Sequence, residues 1–226
     1  MPPLERNPDL TRKTLLEAAF QEIYRCGYQA ASLEQILTRA GVTKGALYHH
    51  FRNKRALGYA VVDELIRGHI LANWVRPIEQ AEDPIDGLLA VLLRKECFPH
   101  YDQRLGCPLN NLAQEMSPLD EGFRKRLQGL YREWRNGIAK ALRRGQARGQ
   151  VRADLDPFEA ADFLTAALEG SISLAKSAQS RSPLDHCRAG LARYLESLRV
   201  TEAGAAESVD RGRHRQRTMR DQASGR

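Results

Sequence analysis

The stretch from Ser32 to Lys54 narrows what this chain can fold into more than any other part of it. Ser32-Leu33-Glu34-Gln35 has the form of a capping box, in which Ser32 caps a helix start and Gln35 can reach back to the cap's own amide. Ile36, Leu37 and Ala40 carry a short helix, and Gly41 breaks it with a residue tolerant of positive φ. Val42 follows as an apolar plug. Thr43 then caps a second short helix, Lys44-Gly45-Ala46-Leu47-Tyr48-His49-His50-Phe51, and Asn53 caps the next. With a longer helix expected over 12–25 in front, two short helices about a glycine turn make a helix-turn-helix. Leu15, Ala18, Ala19, Phe20 and Ile23 of the first helix are expected beneath Ile36, Leu47 and Phe51.

A unit of this kind lays its second helix in the major groove of DNA. The first turn of that helix, at Thr43 and Lys44, offers free amides and a positive dipole end to phosphate. Gly45 lets backbone come close to DNA, while Tyr48 and His49 offer polar tips to phosphate or base edges. Lys54 is placed to clamp a further phosphate. His49 and His50 are neighbours on a helix, share no face and make poor metal partners, so one is expected to face DNA and the other to turn inward. The candidate DNA-binding set is Ser32, Gln35, Thr43, Lys44, Gly45, Leu47, Tyr48, His49, His50 and Lys54.

Behind this head the chain reads as helix after helix, an all-α fold without period-two alternation or Asn-Gly and Asp-Gly hairpin signals. Four starts share one grammar of capping residue, proline and then an acid: Asp83-Pro84 with Asp86, Ser117-Pro118 with Asp120, Asp156-Pro157 with Glu159, and Ser182-Pro183 with Asp185. From 118 to about 147, Phe123, Leu127, Leu130, Trp134, Ile138 and Leu142 form one apolar stripe, and Gly145 and Gly149 are expected to end the helix. A helix over 157–178 is apolar on most sides and a last one covers 183–199. These two are expected to pair with their copies in a second subunit, or else to pack only on their own core. The division expected is a head at 8–54, a helical domain at 55–200 and a disordered basic tail at 201–226, where Arg211 to Arg226 hold six arginines and almost nothing apolar.

The net charge of +7 permits nucleic-acid binding without proving it. The densest basic run is not in the head: residues 122–152 hold ten Lys/Arg against one acid, Glu133, which reads as a solvated helix face. No apolar run spans a membrane and the first residues lack a signal-peptide core, so the cytoplasm is the expected compartment. Four scattered cysteines, with no Cys-x-x-Cys pair, give little support to a zinc site, and Cys97, His100 and Cys107 fit no usual metal spacing. The chain carries no nucleotide loop, Gly-x-Ser-x-Gly or His-Glu-x-x-His, so neither an enzyme nor a cofactor is expected. A protein-interaction module is the remaining rival, and it would lack salt-dependent DNA binding.

Residues 11–65 resemble the DNA-binding domain of the TetR family nearly position by position. The marks are Thr14-Leu15-Leu16-Glu17-Ala18-Ala19, Gly27-Tyr28, Ser32 to Ile36, and above all the run Ala40 to Lys54, with His50 where the family often has Tyr. The resemblance implies a nine-helix homodimer on palindromic operator DNA, a ligand pocket in the C-terminal helices, and usually repression relieved by ligand, with activation as the alternative. Farther on, Leu105-Gly106-Cys107-Pro108-Leu109-Asn110-Asn111-Leu112-Ala113-Gln114-Glu115 and the stretch Leu168 to Lys176 resemble the NemR-like branch, where a cysteine responds to electrophiles or oxidants. That resemblance makes Cys107 a candidate sensor, with Lys176 as a cation that would lower its pKa. The other readings are an inert, buried Cys107 and a noncovalent organic ligand held by Phe98, Tyr101, Tyr131, Trp134 and Phe163 with Asn111 and Glu169.

Overall fold

The computed structural model describes residues 8–94 and 102–200; Phe98, Tyr101, Cys97, His100 and the basic tail lie outside them. Nine helices follow one another among the described residues, with one isolated bridge between Val151 and Arg199. The first three form the head: α1 (Pro8–Cys26), α2 (Leu33–Ala40) and α3 (Lys44–His50). Leu15, Ala19, Ile36, Leu47 and Phe51 meet in its interior, as the sequence pattern requires.

Helix α4 covers 54–80 without a break in αR backbone, but its turns at Val61–Ile66 and Leu71–Val75 are π-type. Its buried residues explain this. Val62, Ile66, Ile70, Trp74 and Ile78 recur every four residues, a longer step than the 3.6 of a regular α-helix, and wider turns keep that stripe on one side. Pro77 cannot bond the Asn73 carbonyl one turn back, and the Arg94 guanidinium bonds that carbonyl at 3.3 Å instead.

The remaining helices are α5 (Pro84–Leu92), α6 (Pro108–Met116), α7 (Glu121–Ala147), α8 (Pro157–Ala178) and α9 (Ser182–Ser197). Asp83 and Asp156 cap α5 and α8 where the Asp-Pro signals put them, each accepting from two backbone amides. The two Ser-Pro signals are shifted. Ser117 closes α6 by donating its amide to Ala113, and Asp120 caps α7 instead, accepting from the Phe123 amide at 2.9 Å. Asp120 serves better because it also takes the Tyr59 hydroxyl at 2.6 Å and so fixes α7 against α4. Ser182 is the first residue of α9, with Arg181 in the cap position. Gly145 does not end α7: it is buried inside the helix, where a Cβ would lie 2.6 Å from Pro84 and Val151.

The expected α7 stripe is buried along its whole length. Its basic residues are not simply solvated. Lys125 pairs with Glu121, Arg126 with Asp63, Arg135 with Asp162 and Lys140 with Glu79, while Arg143 lies over the Phe158 ring. Most of the stripe therefore laces α7 to its neighbours. No helix among the described residues is long and apolar enough to cross a membrane.

Candidate functional site

The head is assembled by local bonds. Ser32 Oγ accepts from the Gln35 amide at 3.5 Å, and Gln35 itself points outward. Gly41 takes left-handed backbone at φ 62°, which lets its amide reach Thr38 O and the Val42 amide reach Leu37 O, closing α2 so that the chain can turn. Thr43 Oγ1 accepts from the Ala46 amide at 3.3 Å and starts α3.

On α3 the side chains divide cleanly. Thr43, Lys44, Gly45, Tyr48 and His49 are exposed. Lys44 Nζ lies 6.0 Å from the centre of the Tyr48 ring, so cation and phenol share one patch. A Cβ on Gly45 would come no nearer than 3.9 Å to anything, so the fold of the head does not itself demand glycine there. His49 faces out, whereas His50 is half-buried and lies edge-on to His49 and near Phe51.

Two expected DNA-facing residues are placed otherwise. Leu47 is fully buried: it points into the head's interior and anchors α3 to the core. Lys54 turns back on the head: its Nζ donates to the Gln29 carbonyl at 3.0 Å and lies over the Tyr28 ring. Arg39 and Arg52 are exposed basic residues of the same head that the sequence reading passed over.

The head is tied to the bundle at the turn between α1 and α2. Glu115, in the last turn of α6, accepts from the Tyr28 amide through Oε2 and the Gln29 amide through Oε1, both at 2.8 Å. Gly27 makes room for this grip: its φ is +83°, and a Cβ would stand 2.9 Å from Glu115 Oε2. Tyr24 adds a second tie by donating to the carbonyl of Gly106 at 2.7 Å. Glu115 ends the Leu105–Glu115 segment, whose residues do not reveal which amides a carboxylate meets eighty-seven residues away.

The other end of α6 meets α8. Cys107 precedes Pro108 at the start of α6, and its thiol donates to Glu169 Oε1 at 3.3 Å. Burial first, and then the neighbouring Glu169, push the Cys107 thiol well above its ordinary range. Lys176 does not supply the expected cation: its Nζ donates to Asn111 Oδ1 at 3.0 Å while its stem packs on Gly106. Asn111 in turn donates to the Leu105 carbonyl at 2.7 Å.

Burial raises Glu169 to about 7, partly offset by the bond from Cys107. Its Oε2 has no hydrogen-bond partner, and neither have Thr165 Oγ1 and Trp134 Nε1, all three buried. Tyr131 stacks on Trp134 with ring centres 6.5 Å apart and donates to Asn110 Oδ1 at 3.3 Å. A groove of about 840 Å³ between α6, α7 and α8 is lined by Asn110, Tyr131, Thr165 and Glu169 among others. A smaller cavity of about 30 Å³ lies inside, lined by Trp74, Trp134, Thr165 and Leu168. Phe163 belongs to neither. It stands half-exposed on the outer side of α8 and packs edge-on against Tyr194 of α9.

Comparison with known proteins places both regions. Residues 15–61 match the model for bacterial regulatory proteins of the tetR family, and residues 88–191 match that for the tetracyclin repressor-like C-terminal domain. Transcriptional regulator AcuR of Cereibacter sphaeroides is 33% identical over 183 residues, covering 77% of this chain and 80% of that protein. The HTH-type transcriptional repressor DhaR of a Mycobacterium species is 29% identical over 181 residues, covering 77% and 86%. Among solved structures, reduced NemR of E. coli superposes with a TM-score of 0.70 at 25% identity, covering 85% of this chain and 99% of that one. With an exposed recognition helix on a head that matches one family model and a helical bundle that matches the other, this chain belongs to the TetR family and is a DNA-binding transcriptional regulator, not an enzyme.

Proposed function

We propose that the chain is a homodimeric repressor that grips a two-fold operator through α3 and releases it when a small organic molecule occupies the bundle. The first turn of α3 carries this reading: Thr43, Lys44 and Gly45 are exposed with Tyr48 and His49, on a helix held from behind by buried Leu47. Free amides and a lysine at such a turn suit phosphate, and the tips of Tyr48 and His49 suit base edges. Repression rather than activation is supported by the printed name of DhaR.

The dimer is read from α8 and α9. Phe163 and Leu174 are 50% and 58% exposed on one side of α8, with Ala167 and Gly170 between them. A Cβ on Gly170 would meet nothing within 4 Å, so this face is apolar and leaves room for a second helix pair. Two equivalent heads then read a roughly palindromic site. The signal is read as a noncovalent ligand, because the thiol of Cys107 is buried, raised and paired with an acid rather than a cation. Such a regulator works where the DNA is, in the cytoplasm.

Fluorescence anisotropy with DNA from the gene's own upstream region tests the reading. A specific fragment is expected to bind as a dimer, and binding is expected to fall by roughly 10³ between about 50 and 200 mM salt if six or so phosphates are contacted. Equal affinity for scrambled DNA, or a bound monomer, refutes it.

A further inference from the structure

We infer that the groove between α6, α7 and α8 takes an organic cation, a protonated amine or amidine on an aromatic or short apolar body, with Glu169 as its counter-ion. This inference rests on the ligand-responsive reading above and names the class of ligand. It begins from an unpaired group. Glu169 is 6% exposed and forms part of the groove floor, its Oε1 is taken by the Cys107 thiol, and its Oε2 is bonded to nothing. A folded protein almost always pairs such an oxygen. An ionised carboxylate without a cation is costly to bury, and removing it from water is repaid only by a partner of opposite charge.

Among the described residues no cation is bonded to Glu169. From α6 the group facing Glu169 is the Cys107 thiol, and from α7 it is the Tyr131 phenol, whose own pKa burial and then Glu169 raise. Arg135 is bonded to Asp162, Arg124 and Lys125 both to Glu121 at the mouth, and Lys176 to Asn111. Glu121 thus serves two cations at the mouth and Asp162 a third, while the buried acid Glu169 has no ion-pair partner among the described residues. Thr165, one helical turn before Glu169, adds an unbonded hydroxyl oxygen that can accept from a second N–H. The Tyr131 ring lines the groove, and an aromatic face attracts a cation in its own right; Trp134, on which it stacks, lines the small inner cavity that also reaches Thr165. The Glu169 oxygen is shut off from water, so a ligand must displace part of the groove lining to reach it, and Tyr131 and Asn110, joined by a long 3.3 Å bond, belong to that lining. Asn110 belongs to α6, the helix whose far end holds the head through Glu115.

The test is titration of the full-length dimer with benzylamine and benzamidine, against benzyl alcohol and benzoate as neutral and anionic counterparts, following the emission of Trp74 and Trp134. Both cations stay protonated from pH 6 to 8, while Glu169 passes from mostly protonated to mostly ionised. Cation affinity is expected to rise about tenfold over that interval, and the cations to bind at least tenfold more tightly than benzyl alcohol at pH 8. Glu169→Gln, a change of one atom, is expected to remove both the preference and its pH dependence. Benzoate or benzyl alcohol binding as well as the cations overturns the inference, as does a cation affinity that is flat or falls with pH, or no saturable binding of either cation. Operator binding by the same samples without ligand is read separately. Its absence would defeat the repressor reading and leave the ligand result standing, whereas intact operator binding with no cation preference would defeat only this inference.

Discussion

The head and the bundle treat polar groups in opposite ways. In the head the polar side chains that start the helices are caps, each bonded to a backbone amide three residues on, and the one buried acid, Glu22, is paired with Arg25 and Arg39. In the bundle, Thr165, Glu169 and Trp134 carry polar atoms inward and leave them unbonded, whereas no such atom occurs at 8–53 among the described residues. A surface that waits for DNA can keep its donors in water until the partner arrives, at no cost to the folded state. A pocket that waits for a small molecule holds its polar groups out of water beforehand, and the folded state bears that cost. The head should therefore lose stability when its apolar side is cut, and the bundle should gain it when its polar interior is neutralised.

The largest effect is expected at Leu47. Leu47→Ala removes a fully buried side chain from a head of three helices and should cost about 2–5 kcal/mol, read as a lower urea midpoint and loss of operator binding. A variant of unchanged stability would mean that Leu47 is not the anchor of α3.

Glu169→Gln should act with the opposite sign. The folded-state pKa of about 7 lies above that of an unfolded glutamate, so the native protein holds this proton more tightly. Stability is then fully present below about pH 4.5 and is lost as pH rises toward 7, by on the order of 3 kcal/mol once the group is ionised. The variant should lie within about 1 kcal/mol of the wild type at pH 5 and exceed it by about 3 kcal/mol at pH 8. His69, half-buried and lowered to about 4 chiefly by desolvation, acts on the acid side in both proteins and cancels in the difference. Parallel urea midpoints at both pH values would mean that Glu169 ionises without penalty.

How much of this was legible in the sequence follows the same division. The helix ends of the head are set by contacts three or four residues apart, so Thr43, Gly41 and Asn53 could be assigned roles from spacing alone. The Asp-Pro starts at 83 and 156 were legible for the same reason. Ser117 misled because an equally local competitor, Asp120, also bonds Tyr59 sixty-one residues away. In the bundle the decisive contacts span sixty residues or more. The sequence put Cys107, Asn111, Lys176 and Glu169 on one candidate list, but it could not tell that the thiol meets the acid and the lysine meets the amide. Nor did helical spacing reveal that Phe163 stands on the outer side of its helix, because α8 is apolar on both sides.

The two regions are joined at Glu115, which gives a third prediction. Glu115→Ala leaves the amides of Tyr28 and Gln29 without an acceptor and should cost about 1–2 kcal/mol, less than two fully buried bonds because Gln29 is exposed. Those two amides should also exchange hydrogen faster than their neighbours. Unchanged exchange would show that the head is held elsewhere.

Tyr48→Ala should leave stability within about 0.5 kcal/mol, as for an exposed side chain, yet weaken operator binding by about 1–3 kcal/mol, the reverse of Leu47→Ala. If Tyr48→Ala instead lowers the urea midpoint and spares DNA binding, the two sides of α3 have been exchanged.

The finest comparison lies between two lysines of the head. Lys44 is exposed in the first turn of α3, whereas the Lys54 amine is held by the Gln29 carbonyl and the Tyr28 ring. A lysine that neutralises a phosphate releases about one counter-ion on binding, so its loss flattens the slope of log affinity against log salt by about one unit. Lys44→Ala should show that change and Lys54→Ala should show little of it. Because Lys54 braces the turn that Glu115 grips, its loss should lower affinity by a similar factor at every salt concentration. Equal flattening by both variants would mean that the Lys54 amine leaves Gln29 for phosphate when DNA binds, and the head would then be remade by its partner rather than set in advance.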